Sequence, residues 1–177
     1  MGYPAVRFGR SEWLAAYRSW GMNCGPGALA GVLGLLPDQA HALLPHFARK
    51  GFTTEWMMEE ALRTARIPWR PDPGIWPAYG LARVLWRGPW WDDPKPFARE
   101  YHSHWVGVRG RNGSPDEIFD INAIEQGGWI PFAEWRDNLV PWLLGWAEPE
   151  ATGGFEVSDA YALDPAALTP APEKGRS

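Results

Sequence analysis

Apolar residues recur at helical spacing through the first third of the chain and at alternating spacing beyond it. Residues 11–20 predict a helix with Ser11 as N-cap and Glu12 in its first turn, where an acid complements the positive helix end. A turn-rich break from Gly21 to Gly27 leads into a second helix over about Pro26 to Leu36. Pro26 suits a first helical turn, because its missing N–H would be unpaired there anyway. A third helix is expected from about Pro37 to Arg49, kinked near Pro45. A fourth begins at Thr53 or Thr54, with Glu55 near its start and Met58, Ala61, Leu62 and Ala65 on one face.

After Pro73 short strands take over: Leu81–Trp86, His104–Val108, Glu117–Asn122 and Gly128–Ile130. Phe132–Leu144 reads as a further helix broken at Pro141, and Phe155–Leu163 as an added edge strand. Helices first and antiparallel strands afterwards predict an α+β fold. One domain is expected over residues 1–163, followed by a disordered tail over 164–177 rich in Pro, Ala and Thr.

The chain has 177 residues, room for one well-buried core. Its hydrophobic content of 45% with 21% charge is that of a globular protein. Net charge is −4 and basic residues occur at most in pairs such as Arg49-Lys50, which argues against a nucleic-acid partner. No apolar run approaches the roughly eighteen residues of a membrane span. The N-terminus lacks the basic-then-apolar pattern of a signal peptide, so a cytoplasmic location is expected. Thirteen tryptophans exceed what a core alone needs, which suggests an aromatic-walled cleft. A single cysteine, Cys24, excludes an intramolecular disulfide and any cysteine-rich zinc site. No cofactor is expected, and oligomeric state is not legible.

Cys24 stands where the break becomes a helix, in front of unpaired backbone N–H groups that favour thiolate over thiol. Gly25 and Gly27 clear the approach of a substrate carbonyl, and Gly27, Gly31 and Gly34 form a bare stripe for close packing. The base must come from elsewhere in the fold. His41 and His46 read as surface positions of the third helix. His104 shares a strand face with Val106 and Val108 and therefore points inward, where it needs a partner. His102 lies on the same face, nearer the loop. Asp120 and Asn122 share a face with Ile118, and a hairpin over residues 110–116 would bring either of them beside His104. Asp120 read alone would also serve as a strand-end turn cap. The set His102, His104 and Asp120 would alternatively suit a metal ion, although this leaves the surroundings of Cys24 unexplained. Trp90 and Trp91, in a proline-restricted loop over residues 88–96 that also carries Asp92 and Asp93, are candidate cleft walls, with Trp105 beside them.

The residues Asn23 to Leu29, then His104-Trp105-Val106, then Asp120, resemble the papain-like cysteine peptidase superfamily. Within it they are closest to the C39-like peptidases, and also similar to small papain-like proteins of tailed bacteriophages. The resemblance runs in order over about residues 15–125. It implies a Cys24–His104–Asp120 triad, a helix-plus-sheet fold with the site between the layers, and hydrolysis of a peptide, amide or other acyl substrate. The family usually places a Gln six residues before the cysteine as an oxyanion donor, whereas here that position is Arg18, followed by Ser19. Asn23 and Ser19 are then the substitute donor candidates, with Asn122 as a further orienting group. The same departure supports an alternative, a papain-like binding or structural module with little catalysis.

Overall fold

The computed structural model describes residues 2–95 and 97–168. Five helices come first: α1 Arg10–Trp20, α2 Cys24–Leu33, α3 Pro37–Leu43, α4 Phe47–Lys50 and α5 Glu55–Thr64. The strands are β1 Trp69–Pro71, β2 Tyr79–Trp86, β3 Ser103–Arg111, β4 Ser114–Phe119, β5 Trp129–Pro131 and β6 Phe155–Leu163. They form one six-stranded antiparallel sheet in the order β1-β6-β2-β3-β4-β5. The fold is thus α+β, as the sequence predicts. Between β5 and β6 the chain runs through α6 Phe132–Glu134, a π turn over Trp135–Leu139, and α7 Val140–Ala147.

Both faces of the sheet are covered. On one, Leu81, Trp105 and Tyr161 pack against α2 and α5 through Leu29, Val32, Met58 and Leu62. On the other, Ala82, Val84, Val106, Val108 and Ala160 pack against Trp135, Val140 and Leu144. Every residue of β2 is therefore buried, as a strand covered on both faces must be. Among the described residues no helix is long and apolar enough to cross a membrane.

Several boundaries differ from the sequence expectation for identifiable reasons. Gly9, not Ser11, caps α1, because Glu12 Oε2 reaches back to accept the Gly9 N–H at 3.0 Å and the Ser11 hydroxyl at 2.9 Å. Helix α2 begins at Cys24 and ends at Leu33, where Gly34 turns left-handed at φ 64°. Thr54 caps α5 by accepting the Met57 N–H, a contact worth about 1 kcal/mol. Pro141 does not break its helix; the wider π turn before it accommodates the missing N–H. β6 is interior, paired on both sides, and the edge falls to β1, whose Pro71 suits an edge strand. Of the tail expected to be disordered, Asp164 accepts the Ala166 N–H at 2.9 Å and Pro165–Leu168 form a 3-10 turn, while residues 169–177 lie outside the described residues.

The glycine stripe of α2 works at two of its three positions. A Cβ on Gly27 would lie 2.8 Å from Ile121 Cβ, and one on Gly31 2.5 Å from the Phe119 ring. Gly34 is instead the helix cap. Gly31→Ala should destabilise the protein by about 1–3 kcal/mol through overpacking. Gly145→Ala, in α7 with open space around it, should stabilise by about 0.5–1 kcal/mol through helix propensity. Urea unfolding of the two variants checks both signs.

Candidate active site

Cys24 is the first residue of α2, so its backbone N–H lacks an intrahelical partner. Cys24 is partly exposed as a residue and lines a cleft of about 620 Å³. His104, on β3, is 6% exposed and stacks on Trp86 at 5.9 Å. The β3–β4 hairpin closes through Asn112 and Gly113 and aligns Gly107 with Phe119. That register carries Asp120, the next residue, to the imidazole: His104 Nε2 donates to Asp120 Oδ2 at 2.8 Å. Nδ1 is then the ring nitrogen left for the thiol, with which the imidazole interacts electrostatically.

Asp120 has no exposure to water, and its oxygens are held by donors on several sides. Oδ1 accepts the Asn122 backbone N–H and side-chain amide, each at 2.9 Å, and Oδ2 accepts the Trp135 indole N–H at 2.9 Å. β4 ends at Phe119, so Asp120 caps the 3-10 turn Ile121–Gln126 as well as pairing with His104. Asp120 thus makes both contacts at once. Asn122 is not an alternative partner of His104; it pins Asp120. Trp135 belongs to the same group and is invisible in sequence, because its only signal is an indole N–H that needs an acceptor once buried.

The electrostatics follow from this geometry. Burial pushes the Cys24 thiol up, but the His104 charge, the hydrogen bond to its ring and the Trp105 backbone N–H outweigh it, and the net direction is down. Burial pushes His104 down, yet Asp120 and Cys24 hold its imidazolium well above the usual histidine range. Burial raises Asp120, while the His104 charge and the donors from His104, Asn122 and Trp135 bring it below the usual carboxylate value. All three directions favour the charged form of each group.

Other sequence candidates fall in different places. Asn23 stands at the N-cap position of α2 without a side-chain cap bond and lines the cleft; its amide donates to Gly51 O at 3.0 Å and its buried Oδ1 has no partner among the described residues. Ser19 is exposed on α1 and lines a separate groove with Ala16 and Pro37, because the left-handed turn at Gly21 separates α1 from the cysteine helix. The space beside Gly25 is filled by Thr53, whose Oγ1 would lie 2.2 Å from a Cβ there. Gly25 and Gly27 thus serve internal packing and not the approach of a carbonyl.

Trp105 lines the cleft and its indole fixes Thr53 by donating to its carbonyl at 2.9 Å. Trp90 and Trp91 do not wall this cleft. Both indoles donate to Trp86 O, at 2.7 and 2.9 Å, and Trp90 stacks on His102 at 3.5 Å beside a second depression. The aromatic wall comes instead from Phe52, Phe97 and Tyr101. His102 Nδ1 pairs with Glu148 at 2.8 Å, so it is not directed to a metal shared with His104 and Asp120. Among the described residues no three His, Cys, Asp or Glu side chains form a metal-binding group. His41 and His46 stack on Trp20 and Trp56.

No protein-family model, curated protein or solved structure matches the chain. The site therefore rests on its own geometry.

Asp120→Asn preserves shape but turns an amide N–H toward one donor pair, either His104 with Trp135 or the two Asn122 groups. It should cost about 3 kcal/mol at neutral pH. Because the folded pKa of Asp120 is depressed, its contribution is complete above about 3.9 and is lost as pH falls through the folded value. The gap between wild type and variant should therefore narrow below about pH 4. Denaturant unfolding across pH measures this, and a gap that stays constant in acid contradicts it.

Proposed function

We propose that this chain is a papain-like cysteine hydrolase acting on peptide, amide or thioester bonds through Cys24, His104 and Asp120. The observation that carries the proposal is the buried His104–Asp120 pair at 2.8 Å beside Cys24, the first residue of α2, which lines a cleft; the pull of His104 on the thiol, downward, supports it. The local resemblance around Asn23 to Leu29 and His104 to Val106 agrees with it.

In this mechanism the Cys24 thiolate attacks the acyl carbon and a tetrahedral oxyanion forms. The unpaired backbone N–H of Cys24, at the positive end of α2, is placed to stabilise it. His104 Nδ1–H gives its proton to the leaving nitrogen, the C–N bond breaks, and a thioester to Cys24 remains. A water then attacks the thioester and loses a proton to His104, and the carboxylate product leaves as the thiol is regenerated. Asp120 keeps the ring oriented and supports its positive charge.

One observation favours a second reading, a binding module with weak catalysis. Arg18 occupies the position of the usual Gln donor and is exposed on α1, and losing one oxyanion donor lowers rate about 10²–10³-fold. Mass spectrometry with a panel of peptide thioesters and anilides separates the two. The hydrolase reading expects an acyl adduct on Cys24 that water releases, absent in Cys24→Ala, and a turnover loss of about 10²–10⁴-fold in His104→Ala. A folded protein that forms no adduct and turns over nothing supports the binding module.

A further inference from the structure

The same cleft carries a charge arrangement that the proposed reaction does not use. Arg83, on β2, is 6% exposed and is the one cationic side chain among the described residues lining it. All three guanidinium nitrogens are engaged: Nε with Asp159 Oδ2 at 2.8 Å, Nη2 with Glu100 Oε2, and Nη1 with Glu55 Oε2 at 3.5 Å. Arg83 is therefore committed to the protein and has little to offer a substrate anion. One positive charge faces three negative ones, and two of these, Glu55 and Glu100, line the cleft with side chains 52% and 40% exposed. Each engages Arg83 through Oε2. A surplus of negative charge beside low-dielectric walls focuses potential on whatever enters.

Two further features of the cleft point to a ligand. The rings of Phe97 and Tyr101 line it while remaining 69% and 78% exposed, a surface suited to an alkyl stem or the face of a cation. Independently, Thr53 is 7% exposed and lines the cleft, and its buried hydroxyl has no hydrogen-bond partner among the described residues. Such a hydroxyl is destabilising unless something polar reaches it, and it lies against Gly25, the neighbour of Cys24.

We propose that the cleft selects substrates bearing a cationic side chain of arginine or lysine type close to the acyl group presented to Cys24. Glu55 and Glu100 take the charge, Phe97 and Tyr101 the stem, and Thr53 a neighbouring peptide group. The proposal deepens the cysteine-hydrolase reading, but its cation-binding element does not depend on the thiol.

The test therefore uses binding to the Cys24→Ala chain. An NMR titration compares acetyl-Gly-Arg-Gly amide with the same peptide carrying citrulline, a neutral isostere of arginine. The arginine peptide should bind about tenfold tighter, and added salt should shrink the difference. The preference should disappear in Glu55→Gln/Glu100→Gln. Because the arginine–citrulline comparison needs no acidic substitution, it stands even if that variant folds poorly. Equal affinity for the two peptides overturns the proposal, as does a preference that survives the double substitution in folded protein. Alkylation of wild-type Cys24 by iodoacetamide at neutral pH reports separately on the hydrolase reading. An inert thiol with the arginine preference intact sinks that reading and leaves the cation site standing; a reactive thiol without the preference does the reverse.

Discussion

A carboxylate wholly removed from water persists as an anion only where donors surround it, and Asp120 is surrounded by three residues. His104, Asn122 and Trp135 supply four hydrogen bonds of 2.8–2.9 Å to its two oxygens. Hydrogen bonds to a charged group are worth about 1.5–3 kcal/mol each, and removing one partner of a buried pair costs more than the bond itself. The hairpin register, the 3-10 turn after β4 and the π turn at Trp135 all converge on this one side chain. The orientation of His104 follows, and with it the availability of Nδ1 for Cys24.

The second constraint is steric. Helix α2 presents Gly27 and Gly31 to Ile121 and Phe119, the residues that flank Asp120 in sequence. Close approach of the cysteine helix and placement of the carboxylate are thus enforced by the same short segment. A Cβ at either glycine would push α2 away from the turn that Asp120 caps and so move the thiol relative to His104. Packing and site chemistry are coupled through residues 119–121.

Much of this was legible in the chain. Cys24 at a helix start, His104 in line with Val106 and Val108, and a hairpin that returns an acid to it are all local patterns, and local patterns survive folding. What escaped were features that depend on distant neighbours. Trp90 and Trp91 looked like cleft walls because they precede the histidine strand, yet their indoles both go to Trp86 O. β6 looked like an edge strand because it comes last, whereas its pairing with both β1 and β2 is a matter of topology. Ser19 is close to Cys24 in sequence, but the turn at Gly21 leaves it on another surface. Arg83 and Trp135 gave no signal at all: a lone Arg in an apolar strand and a Trp in a helix acquire meaning only from the carboxylates they meet.

The central claim is that the protein holds Cys24 as a thiolate against the effect of burial, through a charged His104. Ultraviolet thiolate absorbance of wild type minus Cys24→Ala, followed across pH beside the same difference in a His104→Ala background, tests it most directly. The account predicts a thiolate that forms well below the ordinary thiol value of about 8.5 and a titration that moves upward once His104 is removed. A Cys24 that titrates at or above about 8.5, unchanged by His104→Ala, would contradict it.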